Sequence, residues 1–157
     1  MRIYVAGSMK MAEAIRSIGQ ILRSYGHMAY VFCDPNEPAF SASMIVRKSS
    51  LVAEFTPQTA VRNPIVQNIC GFNLGQLNQC DCVLLVLPSG KSAHLEAGYV
   101  VGKGKKLVIY GPMPLGEWDA MYGLADCIFN DQQTELLFRW FEEVRKEEVK
   151  ANVVASH

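Results

Sequence analysis

Apolar positions recur along the chain in two alternating rhythms. A short apolar run, Arg2–Ala6, ends at Gly7. Met11, Ile15, Ile18, Leu22 and Tyr25 then follow at spacings of four and three, which predicts a strand, a turn and an amphipathic helix. Gly26 stops that helix, and residues 27–33 read as a second strand closed by Asp34-Pro35. Residues 36–64 hold no sustained period and are broken by Pro38, Pro57 and Pro64. They read as an irregular excursion with one short helix over 44–54.

The regular rhythm resumes with a helix over 65–79, weakened by Gly71 and Gly75, and then a continuous apolar run over 82–87. Such a run suits a central parallel strand covered on both faces. Pro88-Ser89-Gly90 turns the chain, 92–102 is helical and 106–110 is another buried strand. A short helix over 118–124, a short strand over 127–129 and a last helix over 134–150 complete the pattern, with a frayed tail over 150–157. Strands alternating with helices over 157 residues, without a repeat or linker, predict a single doubly wound α/β domain of the Rossmann or flavodoxin-like kind. About five parallel strands would carry helices on both faces.

Charge narrows the partners. Lys plus Arg and Asp plus Glu number 15 each, and charged residues make up 19% of the chain, against about 25% in typical domains. That balance argues against a long nucleic acid, whose binding depends on many cations neutralising phosphates. It also hints at additional buried surface between subunits. No apolar run reaches the ~18 residues of a membrane span, so no membrane partner and a cytoplasmic location are expected. The five cysteines, Cys33, Cys70, Cys80, Cys82 and Cys127, read as reduced core residues, and no metal is expected beside only three histidines.

In an open parallel sheet, ligands bind beyond the carboxyl ends of the strands where strand order reverses. Residues 7–10, Asp34 onward and residues 88–92 are the loops in question. Gly90-Lys91-Ser92 ends like a phosphate-binding P-loop, but the glycine required five positions before Gly90 is Leu85, so an ATPase is rejected. No Gly-x-Gly-x-x-Gly follows the first strand, and no cofactor is expected.

Glu96 stands out. Ser92 lies four residues before it, one too many for a capping box. On a helical projection Leu95, Gly98, Tyr99 and Gly102 share one face, which would lie close to the sheet, with Glu96 on its flank. Placed in the first turn, Glu96 would be held ionised by the helix dipole. An ionised carboxylate without a metal suits nucleophilic attack on a sugar carbon.

The segments Ile3-Tyr4-Val5-Ala6-Gly7-Ser8, Asp81-Cys82-Val83-Leu84-Leu85-Val86-Leu87-Pro88 and Ser92-Ala93-His94-Leu95-Glu96-Ala97-Gly98 together resemble the nucleoside 2-deoxyribosyltransferase-like superfamily. The likeness runs from residue 1 to about 142 and is weakest over 36–64. Its most specific element is the Glu followed two residues later by Gly. The resemblance implies that Glu96 is the nucleophile on C1' of a nucleoside or its 5'-monophosphate, in hydrolysis or base transfer. Gly7-Ser8-Met9-Lys10 is similar to the Gly-Ser-Ile-Arg loop of the deoxynucleoside monophosphate glycosidases, where amides and a basic residue receive the phosphate. Gly90 and Ser92 would supply an amide and a hydroxyl from the other side. Asp119-Ala120-Met121 resembles a Ser-Ala-Met segment that reaches the phosphate from a neighbouring subunit, which implies a homodimer.

Asn73 departs from the pattern: the family usually has an Asp there that positions the sugar or assists proton transfer. Asn can hydrogen-bond a hydroxyl but cannot act as acid or base. His94 is then either another proton donor or a surface residue. Two competing readings follow: a non-catalytic nucleotide sensor, motivated by Asn73, and a Glu-dependent NAD glycohydrolase of the TIR type.

Overall fold

A computed structural model describes residues 1–48 and 55–155. Five strands form one sheet: β1 (Arg2–Ala6), β2 (Met28–Val31), β3 (Cys82–Val86), β4 (Lys106–Tyr110) and β5 (Cys127–Phe129). All pairings are parallel and the order is β2-β1-β3-β4-β5. The helices are α1 (Ala12–Ser24), α2 (Pro38–Lys48), α3 (Pro57–Ala60), α4 (Pro64–Gln79), α5 (Lys91–Gly102) and α6 (Thr134–Ala155). The expected doubly wound α/β architecture is therefore the one observed.

Alternation within β1 shows how the two faces are covered. Ile3 and Val5 point to one side and pack with Ile15 and Leu22 of α1 and Leu137 and Phe141 of α6. Tyr4 and Ala6 point to the other and pack with Leu77 of α4 and Ala93, Ala97 and Val100 of α5. Every residue of β3 is buried, as its unbroken apolar run requires.

The region of 36–64 departs most from expectation. A helix begins at Pro38 rather than near 44, and residues 49–54, which completed the expected helix, lie outside the described residues. A further short helix, α3, was not expected at all. The reason is positional: Pro38, Pro57 and Pro64 each open a helix, where the missing N–H has no intrahelical partner to lose. Thr56 and Asn63 cap α3 and α4 through Thr59 N–H and Ile65 N–H. At the other end of the chain, α6 continues to Ala155 instead of fraying after Lys150. Among the cysteines, Cys33, Cys80 and Cys82 are buried as expected and Cys127 partly so, but Cys70 is exposed on α4.

The strand order reverses between β1 and β3, so the loops leaving these two strands diverge and leave a crevice above the sheet. Gly111, at the end of β4, holds the second loop in place. Its φ is +144°, and a Cβ there would lie 2.5 Å from the Leu87 carbonyl oxygen. We expect Gly111→Ala to cost roughly 2 kcal/mol or more, because both strain and backbone overlap oppose it. Gly102→Ala, where a methyl enters open space at the end of α5, should be neutral or stabilising by up to about 1 kcal/mol. Urea unfolding of the two variants measures the difference.

Candidate active site

The crevice is a cleft of about 490 Å³ lined by Gly7, Ser8 and Met9 after β1, by Gly90, Lys91, Ser92, Ala93 and Glu96 of the β3–α5 turn and α5, and by Phe32, Ser43, Ile69 and Asn73. Gly7 is there because the chain has no room for a side chain: a Cβ would lie 2.6 Å from Ile15 Cδ1 and 3.3 Å from the Val86 carbonyl oxygen. Ser8 accepts a hydrogen bond from Lys10 N–H at 3.2 Å, the local capping role. Helix α5 begins after Gly90, which offers its free amides no side-chain acceptor.

Glu96 lies in the second turn of α5, not the first, because the helix starts at Lys91. The buried stripe is Ala93, Ala97 and Val100, whereas Leu95 is 75% exposed and a Cβ on Gly98 or Gly102 would meet nothing. The projected glycine face is therefore turned away from the sheet. Alanine at i and i+4 lets the helix approach as closely as glycine was expected to do, and it leaves Glu96 looking down into the cleft over the sheet's upper edge.

Asn73 Nδ2 donates to Glu96 Oε1 at 3.3 Å, and the Tyr30 hydroxyl donates to Asn73 Oδ1 at 3.3 Å. The Tyr4 and Tyr30 rings lie 5.1 Å apart beneath the carboxylate. The buried Tyr4 hydroxyl completes no hydrogen bond of standard geometry among the described residues. It nonetheless faces Glu96 and favours the ionised form. Burial outweighs these contacts and raises the Glu96 carboxyl to about 7. Desolvation, not the helix dipole, is the largest influence on its charge, against the expected bias towards the ionised form.

The remaining expected site residues divide by position. Gly7, Ser8, Met9, Gly90, Ser92, Asn73 and Glu96 come together around one cleft, and Lys91 joins them. Lys10 is exposed and does not line it, so among the described residues Lys91 is the cation at the cleft. His94 points to the opposite flank of α5, where Nδ1 contacts Gly90 O at 3.0 Å and Nε2 contacts the Tyr122 hydroxyl at 3.2 Å. Asp119 and Met121 line that second, apolar groove, and Asp119 Oδ1 accepts from Met121 N–H to start the turn Ala120–Leu124. His94, Asp119 and Met121 are therefore not brought to Glu96 within one chain. Asp34 has the local role, accepting from Asn36 N–H and pairing with Arg23 at 3.1 Å. Sequence reasoning missed Ser43, Ile69 and the two tyrosines beside Glu96. Tyr4 and Tyr30 carried a signal, since both are phenols on strand positions whose face is otherwise apolar.

No protein-family model and no curated protein sequence matches the chain. Solved structures that share its fold include two enzymes. One is a 2-deoxyribosyltransferase from Bacillus psychrosaccharolyticus, at TM-score 0.53 and 17% identity over 83% of this chain and 87% of that one. The other is the CMP N-glycosidase BcmB of Clostridium botulinum, at TM-score 0.52 and 14% identity over 89% of this chain and 98% of that one.

The raised Glu96 carboxyl has a consequence for stability. Its folded value of about 7 lies above the 4.5 of an exposed glutamate, so the folded chain binds the proton more tightly than the unfolded one. Stability from this group is present below about 4.5 and is lost as pH rises to 7. Relative to the parent, Glu96→Gln should gain roughly 2 kcal/mol between pH 5 and pH 8, a figure that allows for solvent screening of the carboxylate. Unfolding free energies of both proteins across that range provide the check, and a difference independent of pH would refute it.

Proposed function

We propose that the protein cleaves or transfers at the N-glycosidic bond of a nucleoside, deoxynucleoside or its 5'-monophosphate, with Glu96 as the nucleophile. The observation that carries this reading is a half-buried carboxylate, hydrogen-bonded by Asn73, which among the described residues is the one carboxylate lining the switch-point cleft. The shared fold of a deoxyribosyltransferase and a CMP N-glycosidase supports it. A lone pair on Glu96 attacks C1', the C1'–N bond breaks, and its electrons leave with the base, which takes a proton from water. The sugar is then held as an ester of Glu96. Water or a second base attacks C1' and returns the carboxylate.

The cleft is suited to such a substrate at both ends. The uncapped amides at the start of α5, with Lys91 beside them and residues 7–9 opposite, favour a phosphate. Phe32 and Ile69 offer an apolar wall for a base. Asn73 cannot supply a proton to the departing base, and that favours the sensor as the second reading: nucleotides would then stabilise the protein without turnover.

The apolar groove on the other flank of α5 completes the proposal. Leu95, Met121 (64% exposed) and the adjacent Trp118 (81% exposed) leave an apolar surface that a second copy of the chain would cover. Asp119 and Met121 could then approach a cleft only across subunits. A cytoplasmic setting accords with five free thiols.

Incubation with a panel of nucleosides, deoxynucleosides and their monophosphates should release free base, and Glu96→Gln should reduce the rate by roughly a thousandfold or more. Because the nucleophile must be ionised, kcat/KM should rise with pH through about 7 and then level. An active Glu96→Gln protein would overturn the mechanism, stabilisation without product would favour the sensor, and release of nicotinamide from NAD would indicate a glycohydrolase of the other type. In sedimentation velocity the parent should run as a dimer and Leu95→Lys as a monomer. A parent that sediments as a monomer removes the dimer from the proposal.

A further inference from the structure

We propose that Tyr30 is a positioning residue for Glu96: its hydroxyl fixes the Asn73 side-chain amide with Nδ2 towards the carboxylate, so that this contact stabilises the anion and not the acid. The inference takes from the proposed function only that Glu96 is the working group of the cleft.

An Asn amide has two orientations related by a half-turn, and they exchange a donor for an acceptor. In the orientation present, Tyr30 donates to Oδ1 and Nδ2 donates to Glu96, both at 3.3 Å. In the other, Oδ1 would face Glu96 Oε1. Two acceptors at that separation repel unless the carboxyl is protonated, so the reversed amide selects the neutral acid. Which orientation is held therefore decides which charge state the cleft favours, and Tyr30 is the group at the far end of the amide. Asn73 sits on α4 and Tyr30 on β2, so the relay ties the nucleophile candidate on α5 to the sheet through a third element.

Tyr30 can do this only while it remains a donor. Burial, then the carboxylates of Glu37 and Glu96, push its phenol upward, so it stays protonated throughout the neutral range. The titratable groups around the relay are few. From β1, Tyr4 faces Glu96 and is itself pushed up by burial and by that carboxylate, with Cys80 after α4 a smaller neighbour of Tyr4. From the segment before α2, Glu37 acts on Tyr30, and among the described residues no cation is one of the groups that set the charge of Glu96. Two hydrogen-bonding neighbours, Asn73 and Tyr4, oppose desolvation. Only Asn73 closes its bond, and its donation depends on which way its amide is turned.

The test reads the titration of Glu96 in the protein without substrate, by carbon NMR of the glutamate carboxyls with Glu96→Gln for assignment. Tyr30→Phe retains the ring beside Tyr4 and removes the donor. We expect it to raise the Glu96 midpoint by about half a pH unit or more, and Asn73→Ala to do the same or more. In the Asn73→Ala background, Tyr30→Phe should add nothing, because its effect passes through the amide. An unchanged midpoint in Tyr30→Phe would overturn the inference, and so would a rise that persists without Asn73. If Tyr30→Phe proves too unstable to titrate, Tyr30→Leu, which also lacks a donor, takes its place with the same two outcomes. The titration stands whether or not any base is released, so the failure of this inference and that of the proposed reaction are separable.

Discussion

A carboxylate removed from water must be compensated or it takes up a proton, and the arrangement around Glu96 follows from that constraint. The sheet beneath it is apolar, the helix that carries it is pinned by alanines, and among the described residues no cation sets its charge. What compensates Glu96 is neutral: an amide from α4 and the phenol of β1. Neutral donors reduce the cost without removing it, and the group is left poised near neutrality rather than committed to either form. A full ion pair in the same place would fix the anion and abolish that poise.

The strand order makes such a site possible. Since the chain turns from β1 outward to β2 and returns to β3 on the other side, the loops after β1 and β3 part, and the floor between them is where α5 begins. Gly7 and Gly111 press these loops against Val86 and Leu87, so the turn that starts α5 has little freedom to shift. The position of Glu96 over the sheet is thus fixed by backbone contacts two strands wide.

Most of this frame could be read from the chain itself, because each strand is a short apolar run and α1 and α6 show clean helical periods. The misreadings have physical causes. Proline reads as a breaker over 36–64, although at the first helical position it costs nothing, so the pattern puts α2 late and does not show α3. The pattern gives the buried face of α5 to glycines where Ala93 and Ala97 occupy it, since both residue types permit close approach and pattern alone does not separate them. The helix dipole predicts an ionised Glu96, but that effect is confined to the first turn, and at the sixth residue of α5 desolvation dominates. The cleft residues on the loops were legible from the motif. Tyr30 and Tyr4 carry only the faint signal of a phenol on an apolar strand face, which reads as core until the hydroxyl is placed.

Helix α5 also explains why residues two apart in sequence have unrelated surroundings. Successive side chains are about 100° apart, so Glu96 and His94 leave the helix on opposite flanks, one into the cleft and one into the apolar groove. Gly90 and Lys91 border both cavities. His94 contacts Gly90 O, Ser89 Oγ and Tyr122 from the groove side, so it braces the same turn whose amides face the cleft. A residue that never approaches Glu96 therefore still bears on how rigidly an anion would be met there. Anything packed into the groove would meet the imidazole that holds that turn, and this couples the two faces of the helix through a shared piece of backbone rather than through a shared ligand.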